Sequence, residues 1–224
     1  MNRSIIAKKI YDEMLTKYGY NEKALGWLNG RQEVRFSALT AIGELENSKI
    51  CNVGCGFGDL YNFLNNKKIN FNYTGLDINE NFLQFASQHI KSKNTRFIKF
   101  DLREDKIIKR YDWIFSSGVF NHKKTTDYSF IKNSIKKMFM ACNKGIAIDF
   151  ISSYVDFKNK DVFYSKPEII FKLCKSITKR ITLRSDYMPF EFCVYLYKDD
   201  SKTENNVFTK FSEALTKPKR KKLQ

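Results

Sequence analysis

The chain has 224 residues, 42% of them apolar, and a formal net charge of +16. That length suits one α/β domain with a real core, and the apolar content excludes a disordered chain. No run approaches the ~18 apolar residues of a membrane span. The first residues lack an apolar stretch followed by a small-residue cleavage site, so no secretory leader is expected. The five cysteines are scattered and odd in number, with no C-x-x-C pair. They read as reduced, mostly buried thiols of a cytoplasmic protein, and no metal site is expected. Lysine is spread over every segment, with one cluster at 217–222. The charge therefore reads as a solvated surface, with nucleic acid or an anionic membrane surface as the alternative.

In chain order, Ile6, Ile10, Met14 and Tyr18 have helical spacing, and Gly19 supplies a stop. A loop holding Trp27 follows. The next helix is expected from Arg31 to about Leu45, with Val34, Ala38, Leu39 and Ile42 on one face. Residues 1–46 read as an N-terminal helical unit. Then a short apolar run, Ile50–Val53, ends in glycines at alternate positions, Gly54, Gly56 and Gly58, followed by Asp59 and an amphipathic segment from Leu60 to about Asn65. This reads as strand, tight turn and helix. Glycine suits a backbone that turns at φ > 0 or lies close to a ligand, and the free N–H groups of the helix start would face that ligand.

The dinucleotide fingerprint G-x-G-x-x-G needs a glycine where this chain has Asp59, and a carboxylate aimed at a pyrophosphate is repulsive. The pattern G-x-G-x-G resembles instead the first motif of class I S-adenosylmethionine-dependent methyltransferases. The resemblance implies that Asn52, Gly54, Cys55, Gly56, Gly58 and Asp59 surround the methionine part of that cofactor. The family usually carries Asp or Glu at the place of Asn52. Asparagine can still accept a hydrogen bond from the cofactor's ammonium, but without charge assistance. It also implies that the N-terminal helices cap the cofactor and that Trp27 is either a lid over the site or a packed aromatic.

The next strand, Phe71–Asp77, closes on Asp77, 19 residues after Gly58. An acidic residue at that distance suits a ribose diol, while an N-cap for a helix from Glu80 to Ile90 is the other reading. The resemblance adds Ile78 to the cofactor set. A third strand, Thr95–Phe100, ends at Asp101 and Leu102, which in the family meet the adenine amine and ring. A fourth, Tyr111–Phe115, runs into Ser117, Phe120, Asn121 and His122. Ser117 is expected at the cofactor, Phe120 and Asn121 on the substrate side. His122 is the candidate general base, or one polar residue in a polar loop; Asp149 and Asp156 stand behind it. A helix from Asp127 to Met140, a turn at 143–145 and a fifth strand, Ile146–Ile151, lead to a long loop. Tyr154 and Tyr164 of that loop either stack on a sugar or pack. Pro167 opens a helix to Ser176. The runs 180–184 and 192–197 read as an antiparallel pair. Residues 200–224 form a polar, basic tail with a short amphipathic stretch at Val207, Phe208, Phe211 and Leu215.

Five β-α units and a terminal antiparallel pair are expected to form a Rossmann-like, seven-stranded methyltransferase sheet over residues 47–199, mostly parallel with a terminal antiparallel strand. Several stretches are similar to a narrower set of methyltransferases from bacterial gene clusters for surface polysaccharides. They are Gly26-Trp27, Arg35-Phe36, Gly58–Tyr61, Tyr73–Asp77, Ser117–Asn121, the segment 152–164, Asp186-Tyr187 and Glu191-Phe192. That resemblance implies methyl transfer to an oxygen of a small molecule or of a sugar- or phosphate-type precursor. An RNA methyltransferase using the basic surface is the alternative, although the fourth strand lacks the prolines that follow it in enzymes acting on base amines. A binding module without activity is a further one. Removing residues 217–224 should leave S-adenosylmethionine affinity unchanged by calorimetry; a large loss would make the tail part of the site.

Overall fold

A computed structural model describes residues 2–26 and 31–199. Trp27 and the stretch around Phe208 lie outside them. The first helix, α1 (Arg3–Tyr18), starts at Asn2, whose side chain accepts from the Ser4 N–H, and stops at Gly19 with φ 65°. A 3-10 turn, Glu22–Leu25, precedes α2 (Gln32–Thr40). The sheet strands and remaining helices then alternate: β1 (Ser48–Val53), α3 (Asp59–Asn66), β2 (Phe71–Asp77), α4 (Glu80–His89), β3 (Thr95–Lys99) and β4 (Tyr111–Ser116). They continue with α5 (Tyr128–Ala141), β5 (Cys142–Ile151), α6 (Pro167–Lys175), β6 (Ile181–Arg184) and β7 (Glu191–Tyr197).

The strands form one seven-stranded sheet in the order β3-β2-β1-β4-β5-β7-β6. All neighbours pair in parallel except β7, which runs antiparallel to β5 on one side and β6 on the other. The central strands are buried on both faces, as parallel strands must be. One apolar layer packs α5 and α6 through Ile131, Ile135, Met138 and Ile170. The opposite layer packs α2 and α3 through Leu39, Ile42, Leu60 and Leu64. All five cysteines are free and buried, so they serve as small core residues.

Two elements differ from their sequence reading. α2 ends at Thr40 rather than near Leu45. Beyond it Gly43 lies where a Cβ would come within 2.8 Å of the Trp113 ring, and the Trp113 indole N–H donates to the Glu44 carbonyl at 2.9 Å. The chain is thus turned toward β1 by a tryptophan from β4, the strand beside β1 in the sheet. The buried face of α2 is also displaced: Val34 is 40% exposed while Arg35 and Phe36 point inward. A polar residue on the inner face, Arg35, is what hid that phase. The second difference is β5, which begins at Cys142 with no turn at 143–145. Gly145 pairs with Tyr197 across the sheet. A Cβ there would sit 2.6 Å from the Leu196 carbonyl oxygen and 3.0 Å from the Trp113 ring. This glycine answers a close approach inside the sheet rather than a turn. Gly145→Ala should therefore lower stability by ~1–3 kcal/mol, as overpacking does; an unchanged urea midpoint would show that β5 and β7 part without cost.

Candidate functional site

The strand order reverses at β1, whose two neighbours, β2 and β4, are reached by chain running in opposite directions along the sheet. A crevice opens at the carboxyl ends of strands at such a point. Here it holds a cleft with about 1030 Å³ of open space, mouth included. The glycine turn lies on its wall. Gly54, Gly56 and Gly58 have φ of 74°, 53° and 84°, a region that other residues enter at a cost. A Cβ on Gly54 would meet Val119 at 2.2 Å, and one on Gly56 would meet Leu25 at 2.9 Å. The turn is pinned to the neighbouring strand because the N–H groups of Gly54 and Cys55 donate to the Leu76 carbonyl at 2.7 and 3.0 Å.

Asp77 completes that attachment. Its Oδ2 accepts from the Gly56 N–H at 2.8 Å and its Oδ1 from the Asn79 N–H at 2.9 Å. Burial raises its pKa, against the lowering effect of those N–H groups. A carboxylate has about four lone-pair positions, so acceptor capacity remains beside the N–H groups of Asn79, Gly56 and Ile78 that engage it. The N-cap of α4 is Asn79, not Asp77, and its side chain accepts from Asn81 and Phe82. Asn52 is 4% exposed, and its Nδ2 donates to the Tyr73 hydroxyl at 3.0 Å, leaving Oδ1 as an acceptor.

Of the residues expected at the cofactor, Asn52, Gly54, Cys55 and Gly56 line the cleft from the turn. Asp77 and Ile78 line it from β2, Asp101 and Leu102 from β3, and Ser117 from the end of β4. Gly58 and Asp59 stand behind the wall. Gly58 begins α3, where a Cβ would meet Ile90 at 2.5 Å, and Asp59 accepts from the Gln32 side chain at 3.2 Å.

Among the described residues, those expected on the substrate side, Phe120, Asn121, Tyr154 and Tyr164, and the candidate base His122 do not line the cleft. Phe120 is fully buried between Phe130 and Phe150, with ring centroids 5.5 and 5.7 Å away. Asn121 accepts from the Ile151 N–H at 3.4 Å, and its carbonyl accepts from the Phe163 N–H at 2.9 Å. His122 pairs with Val162 across an antiparallel bridge. Its Nδ1 accepts from the Lys124 N–H at 3.3 Å, and burial pushes its pKa down. These residues join the loop after β4 to the loop after β5. On the second loop Tyr154 is 66% exposed and bonded to Glu168, while the Tyr164 hydroxyl accepts from the Asn159 N–H at 2.7 Å.

Sequence reasoning expected the N-terminal helices as a cap but missed the residues that form its inner face. Ser4, Ala7 and Tyr11 of α1 and Gln32 and Phe36 of α2 line the cleft. α1 is fastened at its start and past its middle: Arg3 pairs with Asp127, the N-cap of α5, and Asp12 accepts from the Asn79 side chain at 2.9 Å. Between these ties Tyr11 packs edge-on against Phe82 at 5.9 Å. The i, i+3, i+7 spacing of Ser4, Ala7 and Tyr11 marks one helix face. Their side chains carry no distinctive chemistry, so only that spacing could have found them.

Behind Ser117 lies a buried charged cluster. Asp149 on β5 is 2% exposed. It accepts from the Ser117 hydroxyl and, at 2.8 Å, from the Gly118 N–H. Arg35 of α2 pairs through two nitrogens with Glu191 of β7, the Nε contact being 2.7 Å. Desolvation first, then the charge of Glu191, raises the Asp149 pKa to about 6; Ser117, Gly118 and Arg35 oppose the rise.

A family model described as a methyltransferase domain matches residues 51–138. That stretch runs from β1 through most of α5, so the part of the chain holding the glycine turn and Asp77 is similar to methyltransferase domains. It is 27% identical over 157 residues to Rv1506c of Mycobacterium tuberculosis, a candidate methyltransferase, covering 66% of this chain and 92% of that protein. Its fold is similar to that of magnesium protoporphyrin IX methyltransferase from Synechocystis PCC 6803 with bound S-adenosylhomocysteine. There the TM-score is 0.64 at 15% identity, over 86% of this chain and 98% of the other. A TehB-like methyltransferase from Corynebacterium glutamicum gives 0.58 at 17% identity, over 84% and 98%.

The raised pKa of Asp149 has a consequence for stability. A carboxyl that binds its proton more tightly folded than unfolded stabilises the fold fully below its unfolded pKa of ~3.9, and that contribution is lost as pH rises through about 6. Asp149→Asn should therefore be more stable than the parent by ~1–3 kcal/mol at pH 8, with the gap closing toward pH 4. Urea denaturation across that range checks the sign; a gap that widens on acidification would refute it.

Proposed function

We propose that this methyltransferase moves the methyl group of S-adenosylmethionine to an oxygen of a small molecule, a sugar- or phosphate-type precursor of a surface polysaccharide. The observation that carries the cofactor part is the cleft whose wall joins the glycine turn to the buried Asp77. Asn52 Oδ1 suits the cofactor's ammonium, and the close wall of Gly54 and Gly56 admits its methionine chain without a Cβ in the way. The acceptor capacity left on Asp77 suits the ribose hydroxyls. Asp101 suits the adenine amine and Leu102 the ring face. Bound there, the cofactor supplies an electrophilic methyl group on a sulfonium. The chain's own contribution is to hold the acceptor in line with that methyl group and to exclude water. Orientation of this kind is worth ~7–11 kcal/mol in favourable cases. α1 supplies part of the roof that excludes water.

The acceptor part rests on the resemblance to the polysaccharide-cluster enzymes and on the two loops past β4 and β5. Joined at Asn121 and His122, they form one platform next to the Ser117–Val119 wall. Tyr154 and Phe157 are exposed on it, at 66% and 69%. Exposed aromatic faces suit the C–H faces of a sugar ring. Tyr154 and Tyr164 thus keep a role as secondary contacts away from the reacting atoms.

Asp77→Ala should abolish measurable S-adenosylmethionine binding in calorimetry while circular dichroism shows the fold intact; unchanged binding would defeat the ribose assignment. Methyl transfer from tritiated cofactor into an extract of the source organism should label nuclease-resistant sugar or glycan fractions. Label lost to nuclease would favour RNA and make the basic surface functional.

A further inference from the structure

We infer that Ser117 faces the methyl acceptor, with Asp149 acting through it, so that the site takes a hydroxyl and rejects an oxygen that is already ionised. This rests on the methyl-transfer reading above and narrows its acceptor.

The argument is a count of protons. A serine hydroxyl has one proton to donate and two lone pairs. Ser117 donates that proton to Asp149. Its oxygen, on the cleft wall, therefore has only acceptor capacity left for a ligand. The next donor on that wall is spent in the same way, because the Gly118 N–H also points at Asp149. The end of β4 thus offers lone pairs backed by a buried carboxyl group. An acceptor with an O–H can donate to it. A phosphate or carboxylate oxygen there finds the Ser117 and Gly118 donors already committed and a buried carboxyl group behind them. The cationic side chain that lines the cleft, Arg103, follows β3. Its guanidinium donates to the Thr125 carbonyl and lies 3.5 Å from the Phe130 ring centre.

The surroundings of Asp149 fit a group that takes up a proton. Arg35 from α2 pairs with Glu191 from β7, so the guanidinium charge is largely committed to a second carboxylate. Tyr187, on the connection between β6 and β7, has a buried hydroxyl without a hydrogen-bond partner, and burial first, then the Asp149 charge, raises its pKa. In the transfer, the acceptor O–H bond breaks as the O–CH3 bond forms, and the S–CH3 bond breaks with its electron pair left on sulfur. The acceptor's proton passes to Ser117 Oγ as the serine proton passes to the Asp149 carboxylate. Ser117 is the catalytic residue of this step and Asp149 a positioning residue that also stores the proton.

Calorimetry with S-adenosylmethionine and transfer of tritiated methyl into the small-molecule fraction of the source extract test this together. Ser117→Ala should bind the cofactor within about twofold of the parent yet lose ~100-fold in transfer, the usual share of proton transfer. Ser117→Thr, which keeps the hydroxyl, should recover most of it. Parent activity should fall as pH drops through about 6. Asp149→Asn should lack that limb and keep only a low, flat rate. The labelled methyl should survive mild alkali, as an ether does. Label set free by alkali as methanol, or recovered as methyl phosphate, would overturn the inference and leave methyl transfer standing. Tenfold weaker cofactor binding in Ser117→Ala would also overturn it, by making Ser117 a cofactor ligand. A parent that binds no S-adenosylmethionine, or that binds it and labels nothing, would overturn the methyl-transfer reading itself.

Discussion

The carboxylate of Asp77 holds the end of β2 to the turn that leaves β1. One oxygen takes the Gly56 N–H, the other the Asn79 N–H at the start of α4. Two strand-to-helix turns that approach from different parts of the chain are thereby set at one spacing. The glycines make this geometry reachable, since each lies at positive φ and two would drive a Cβ into Val119 or Leu25. A carboxylate in this position is costly to bury without hydrogen bonds, and the two N–H groups are what keep it there as an acceptor. The same arrangement that holds the turn leaves acceptor capacity at the cleft, so the structural tie and the ligand site are one feature.

The opposite end of the cleft depends on charge in a different way. Arg35, Glu191 and Asp149 come from α2, β7 and β5, and all three are nearly buried. Buried ion pairs rarely add stability over an apolar replacement, whereas removing one partner is costly. Three ionisable groups around one strand end are therefore hard to justify as packing alone. Their arrangement fixes α2, which carries Gln32 and Phe36 to the cleft, and it sets the proton balance behind Ser117. The cleft thus has an end where Asp77 and Asn52 present acceptor oxygens, and an end where the Ser117 hydroxyl and the Gly118 N–H are turned toward Asp149.

The alternation of strands and helices was legible because parallel strands are continuous apolar runs and the helices carry strong one-sided patterns. The glycine turn and Asp77 were legible because their chemistry is local: residue types at fixed spacing determine what the backbone and one carboxylate can do. Where the reading slipped, a residue from elsewhere intervened. Gly145 looks like a turn in isolation, and only the Leu196 carbonyl and Trp113 ring explain it as strand. Arg35 looks like the polar side of a helix, and only Glu191, 156 residues later, brings it inside. The roof was expected as a pair of helices, but its lining residues were hidden for the opposite reason. Ser4, Ala7 and Tyr11 are ordinary in type, and their importance lies in where α1 is fastened.

His122 shows how far residue type can mislead. Its place after β4 and its chemistry suit a base. The chain leaves β4 along the cleft wall through Val119, then turns into the core at Phe120, whose ring is held between Phe130 and Phe150. Once Phe120 is buried, the next two residues emerge on the far side of it. There they pair with the loop after β5 instead of facing the cleft. Ser117 and Gly118 come before that turn and stay on the wall. The burial of one aromatic ring thus decides which residues of this loop line the cleft and which pair with the loop after β5.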